Sequence, residues 1–147
     1  MINFNAAKVL IIGDVMLDLY WHGNAQRISP EAPVPIINVN RIDNLPGGAA
    51  NVALNVRSLG SKTSLVGIIG DDTNGQIIGN ILTSKGISAN LHQVANMATI
   101  TKIRALAHHQ QLMRADFEQN LAPHANNFFD CSQHIKAVDV VILSDYN

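Results

Sequence analysis

The sequence predicts an α/β protein built on a mostly parallel sheet, and three observations carry that expectation. Lys8–Gly13 and Thr63–Gly70 are continuous apolar runs that end in glycine, the pattern of strands buried on both faces. Stretches with apolar residues at helical spacing lie between and after them. A third β-branched run, Ala137–Leu143, closes the pattern. Strands alternating with helices favour a sheet with helices packed on it.

Each element has its own signal. Lys8–Gly13 reads as a central strand. Tyr20–Asn40 differs, because Pro30, Pro33 and Pro35 interrupt it and Pro35–Asn40 only partly alternates. It predicts a short strand pair outside the main sheet. Helix one is predicted over 49–59, with Ala49, Val52, Ala53 and Val56 on one face and Gly60 as its stop. After the strand at 63–70, Asp71, Asp72 and Thr73 offer caps for a second helix. Ile77, Ile78, Ile81 and Leu82 line its apolar face, and Gly86 ends it. Residues 88–117 read as strand-rich. Phe128, Cys131 and Ile135 mark one more helix face before the last strand, which is expected to be buried.

Composition sets the outer limits. The 147 residues suffice for one domain, at 47% hydrophobic and 14% charged. A net charge of −1 with no basic run points away from nucleic acid and from membrane surfaces. Met1–Lys8 lacks the charged start and apolar run of a signal peptide. The single Cys131 rules out an internal disulfide and fits a reducing cytoplasm. The last strand ends four residues before Asn147 with no crossover helix after it, which predicts a portion of a longer protein.

The residues that suggest chemistry gather at strand exits, where parallel sheets bind ligands. Asp14 and Asp18 follow the first strand and Asp145 the last. Their carboxylates suit sugar hydroxyls; the competing reading is a turn cap at Asp14 and a solvated Asp18. Gly47-Gly48 opens the first helix, where bare backbone can approach a ligand, or simply turn tightly. Asn51, a poor residue for a helix interior, can face the same pocket. Lys102, Arg104 and Arg114, with Gln110 and Gln111, can hold an anion or form a solvated strand face. His22, His92, His108, His109, His124 and His134 show no metal-site spacing and read as surface or structural. Cys131 reads as a small core residue, and Tyr20 and Trp21 as packing residues. There is no Walker A loop, Rossmann glycine motif or Cys-x-x-Cys.

Gly47-Gly48-Ala49-Ala50-Asn51-Val52-Ala53, then Gly60, then Gly70, resembles the N-terminal signature of the ribokinase-like (PfkB) sugar kinases. Further stretches resemble the heptose-7-phosphate kinase branch: Gly13–Asp18, Arg27–Pro35, Thr99–Arg104, Gln110–Glu118 and Leu143–Tyr146. The resemblance implies a ribokinase-like sheet with flanking helices and a small β lid, incomplete because only the N-terminal portion of the kinase domain is present. The lid insertions are expected at about 20–40 and 99–117. It implies phosphate transfer from ATP, with Mg2+, to the anomeric hydroxyl of D-glycero-D-manno-heptose 7-phosphate, in ADP-heptose and lipopolysaccharide core synthesis in the cytoplasm. Asp18, Gly47, Gly48 and Asn51 are then expected to bind sugar hydroxyls, and Lys102 and Arg104 the 7-phosphate. A homodimer through the lid is also implied. The family's Gly-Ala-Gly-Asp, with its catalytic aspartate, is not among these residues, so no catalytic residue is assigned. The 147 residues alone are expected to be inactive and to hold neither ATP nor Mg2+ strongly. Another ribokinase-like carbohydrate kinase, or a non-catalytic sugar-binding or dimerisation fragment, remains as the alternative.

Overall fold

A computed structural model describes residues 4–108, 110–121 and 131–146. Two four-stranded sheets make up the chain. The first has the order β5-β4-β1-β8 and is parallel throughout, built from β1 (Lys8–Gly13), β4 (Lys62–Gly70), β5 (Ser88–Val94) and β8 (Val140–Ser144). Parallel neighbours need crossovers. Helix α1 (Ala49–Ser58) precedes β4, and α2 (Thr73–Ser84) carries the chain from β4 to β5. The short α3 (Ser132–Lys136) precedes β8.

The core follows from this order. Strand β1 lies between β4 and β8, and its Leu10 and Ile11 are fully buried. Ile11 joins Leu65, Ala49, Ala53, Ile78 and Leu82 in one cluster, which takes in the predicted face of α1 and that of α2 except Ile81. Each fully buried Leu or Ile contributes roughly 1.5–3 kcal/mol. Leu10 packs on the other side with Val66 and Cys131, so the cysteine is a small core residue. Phe128 lies outside the described residues.

The second sheet has the order β3-β2-β6-β7 and is mixed. It comprises β2 (Val15–Ile28), β3 (Pro35–Gly48), β6 (Thr101–Ala107) and β7 (Gln110–Phe117). Strands β2 and β3 each run 14 residues, so the insertion spans 15–48 and is longer than the short pair expected at 20–40. The prolines that suggested short strands sit at the hairpin end: Pro30 and Pro33 fall between the strands, and Pro35 begins β3. A register shift between Asn24 and Arg27 absorbs the irregularity near that end. Strand β5 pairs with β4 in the first sheet, so only β6 and β7 of the 88–117 stretch belong to the second.

The last strand departs from expectation as well. Val140 is 48% exposed and Leu143 74%. Strand β8 is the edge of the described sheet, paired on one side only, so its apolar residues lack a second neighbour among the described residues. Among those residues no helix is long and apolar enough to cross a membrane.

Candidate functional site

One residue, Asp14, separates β1 from β2, and it ties three segments together. Its amide donates to the Ser144 carbonyl at 3.0 Å, and its carbonyl accepts from the Ala49 amide at 2.8 Å. Its carboxylate accepts from the Tyr146 amide at 2.9 Å. The carboxyl ends of β1 and β8 and the start of α1 therefore meet at this residue. Burial pushes the Asp14 carboxyl above its ordinary value; the Tyr146 amide opposes the rise and the neighbouring Asp145 adds to it.

Gly47 and Gly48 are the last residues of β3 and run directly into α1. They form no separate loop. Gly48 takes φ 55°, and a Cβ there would stand 2.3 Å from the Asp14 carbonyl oxygen. Gly47 lies opposite Met16, and a Cβ on it would stand 2.8 Å from Asp18 Oδ2. The Asp18 carboxylate is therefore seated against the bare backbone of Gly47. Asn51, in the first turn of α1, is exposed.

Register places the charged residues of the second sheet. Asp18 lies opposite Lys102 and Tyr20 opposite Arg104; Lys102 in turn faces Asp116, and Arg104 faces Arg114. Residues at such paired positions share a face. Arg104 Nη1 donates to Asp18 Oδ1 at 2.5 Å, and the guanidinium lies 5.2 Å from the Tyr20 ring centre. Tyr20 is stacked with His22, which contacts Asp43 at 2.9 Å.

The expected anion-binding cations are brought together, and each has a carboxylate partner. Lys102 Nζ contacts both Asp116 and Glu118, and Arg114 contacts Asp116. The hydrogen bond to Glu118 leads the effects that raise the Lys102 ammonium above its ordinary value. Arg114 and Lys102 hold the Asp116 carboxyl well below the usual carboxylate range. Gln110 and Gln111 lie apart from this cluster, opposite Ala107 and Leu106 at the far end of the β6–β7 hairpin.

The structure adds a connection that local pattern did not suggest. Asp72 caps α2 through the Gly75 amide at 2.8 Å, as its position predicts, but it also accepts from the Thr99 amide and hydroxyl at 2.8 and 2.6 Å. Thr99 leads into β6, so this carboxylate fastens the second sheet to α2. Its partner lies 27 residues away, beyond the reach of any capping signal. Burial pushes the Asp72 carboxyl up, but the bonds from Thr99, Gly75 and Asn74 together outweigh it and hold the group below its ordinary value.

Among the described residues no three His, Cys, Asp or Glu side chains gather to hold an ion. His134 lies 3.1 Å from the Asn90 amide. His109 and His124 lie outside the described residues.

The chain is 48% identical to the "Bifunctional protein HldE" of Pseudomonas fluorescens strain SBW25, over 98% of its own length and 31% of the relative's. The same name and the same identity recur in Psychromonas ingrahamii, over 99% of this chain and 31% of that one. The chain thus spans about a third of the length of the curated relatives it matches. A carbohydrate kinase from Agrobacterium tumefaciens superimposes with a TM-score of 0.73 at 14% identity, covering 93% of this chain and 45% of that one. Arabidopsis thaliana ribokinase, solved with ribose and ATP, superimposes with a TM-score of 0.61 at 22% identity, over 76% and 36% of the two chains. These two likenesses show a shared ribokinase-like fold. Residues 6–146 match the pfkB family carbohydrate kinases, and the chain belongs to that family.

Proposed function

We propose that this chain forms the sugar-binding half of a kinase that moves phosphate from ATP to the anomeric hydroxyl of D-glycero-D-manno-heptose 7-phosphate. The observation that carries the reading is the seating of Asp18 against Gly47, beside the start of α1 and the carboxyl end of β1. A carboxylate fixed near the start of β2, where the second sheet leaves the carboxyl end of β1, with backbone rather than side chain beside it, suits a polyhydroxylated ligand. Arg104 holds the Asp18 carboxylate in place. Asn51 is exposed one turn away and can reach a hydroxyl of the same sugar. Lys102 and Arg104 supply charge for the 7-phosphate in this reading, and Asp116, Glu118 and Asp18 then share these cations with it.

Among the described residues no three His, Cys, Asp or Glu side chains gather to hold a metal ion. No step is routed here through the metal or the nucleotide. What these residues do is bind and orient the acceptor sugar.

Calorimetry on this chain is expected to show heptose 7-phosphate binding at least about tenfold tighter than unphosphorylated heptose, the margin of one charge-assisted contact. Equal affinities would reassign the site to a neutral sugar. In a kinase-competent longer chain that carries the family's Gly-Ala-Gly-Asp signature after these residues, Asp18→Asn is expected to lower kcat/KM roughly 100-fold. The 147 residues alone should give no turnover, and robust turnover would sink the assignment.

The opposite face of the second sheet supports a homodimer. Trp21, Ile42 and Met113 share it with Phe117, and Ile42, Met113 and Phe117 are 54%, 47% and 56% exposed. The exposed apolar side chains on this face, flanking its buried Leu17, Thr101 and Ala105, suit a matching copy. Sedimentation is expected to show a dimer that Met113→Glu converts to monomer with its melting transition retained. A wild-type monomer at all concentrations would remove the lid dimer.

A further inference from the structure

At the opposite end of the first sheet lies a cavity of about 350 Å³. It is lined at the amino ends of β1, β4 and β5 by Lys8, Lys62, Thr63 and Ser88, and by Arg57 from the last turn of α1. Strand β1 rises roughly 3.3 Å per residue, so its six residues set this cavity apart from Asp14 by the full height of the sheet.

Its charges are unlike those of the second sheet. There, Arg41, Lys102, Arg104 and Arg114 each contact a carboxylate. Among the described residues no carboxylate pairs with the side chains of Lys8, Lys62 or Arg57. Asp139, close by in the fold, accepts instead from the Lys8 backbone amide at 2.8 Å. Lys8 and Lys62 are moreover direct partners in the β1–β4 ladder, an arrangement in which like charges repel.

Arg57 sharpens the point. A cation in the last helical turn has an ordinary role, since it complements the helix dipole. Its Nη1 does donate to the Ser61 carbonyl at 3.3 Å. Its Nε, however, is buried with no hydrogen-bond partner. The guanidinium lies alongside Gly86, which takes φ 69° just after α2. Two repelling ammonium groups and a guanidinium around one cavity, with no carboxylate paired to their side chains among the described residues, are an arrangement completed by an anion.

We propose that this cavity binds a small phosphate-class anion, either inorganic phosphate or the phosphoryl group of a phosphomonoester, independently of the sugar site at the carboxyl ends of the strands. Arg57 and the two lysines supply the charge, and the Ser88 hydroxyl is placed to donate.

The test is an amide-resolved NMR titration of the chain with sodium phosphate against sodium chloride of equal ionic strength. A second arm uses ribose 5-phosphate. The expected result is saturable shifts at Thr63, Ser64 and Ser88 with both phosphate probes and none with chloride. Tighter binding of the ester identifies a phosphomonoester as the natural occupant, and equal binding identifies free phosphate. Arg57→Gln should weaken phosphate roughly tenfold or more. Should that variant not fold, the double replacement of the exposed Lys8 and Lys62 by Gln, which leaves the buried residues untouched, is expected to weaken binding by a similar factor. Equal shifts with chloride, shifts confined to the Asp14–Asp18 region, or unchanged affinity in the folded variant would overturn the proposal.

Discussion

Replacing Gly48 by valine is expected to destabilise the fold by about 3–4 kcal/mol, combining the left-handed backbone penalty with overpacking. The residue takes φ 55°, a region that β-branched side chains essentially avoid. Its Cβ would stand 2.3 Å from the Asp14 carbonyl oxygen, which is backbone and already accepts from the Ala49 amide. Relief requires moving the start of α1 away from the end of β1, and with it the floor of the proposed sugar site. Gly47→Ala makes the informative contrast. Its Cβ meets Asp18 Oδ2 and Met16 Cγ, both side-chain atoms that can shift. Urea unfolding should therefore show a smaller loss for Gly47→Ala, while sugar binding falls in both variants. A Gly47→Ala protein that binds sugar as the wild type does would show that Asp18 need not lie where it is seen.

Asp72→Ala is expected to cost about 3 kcal/mol, because it removes an N-cap and leaves the Thr99 amide and hydroxyl without their acceptor. The loss should extend beyond α2. The Thr99 carbonyl also accepts from the Thr101 hydroxyl, which in turn accepts from the Asn74 amide, so the same network positions the first residue of β6. Asp72→Asn should be nearly as damaging, since one of its two terminal positions becomes an NH2 facing a donor. The pH dependence follows from the direction of the shift. The folded carboxyl titrates below its unfolded value, near 3.9 for a free Asp side chain. Its contribution is therefore fully present above roughly pH 5 and fades as pH falls through the depressed folded value. Denaturation across pH 7 to 3 should show the gap between wild type and Asp72→Ala constant at the upper end and narrowing at the lower. A gap that stays constant down to pH 3 would mean that the carboxylate's charge does not matter.

Much of the fold was legible because its signals are local. The apolar run at Lys8–Gly13, the spacing of Ile78 and Leu82, and Asp72 ahead of α2 each act within one or two turns, and the elements appear close to where they were expected. The glycine pair was legible for the same reason, since backbone that must turn and be approached closely tolerates few other residues. The strand pair was underestimated because prolines at one end of a hairpin say little about how far the ladder runs beyond them. Strand β8 was expected to be buried because its composition matches a central strand; its edge position depends on which strands lie beside it.

By itself, then, the sequence determined the alternation of strand and helix, the positions of α1 and α2, and the kinds of residue gathered at the strand exits; the third helix begins only at Ser132, after the Cys131 expected on its face. Only the tertiary structure decided their partnerships. Arg104 reaches Asp18 across 86 positions, and Lys102 is shared by Asp116 and Glu118. The cations expected to await an anion are thus balanced by carboxylates, while Arg57, Lys8 and Lys62, which carried no signal, meet around a cavity with no carboxylate paired to their side chains among the described residues. The reason is physical: periodicity and capping act within a few residues of chain, whereas the charge felt by a side chain depends on which distant strand register brings a neighbour within reach.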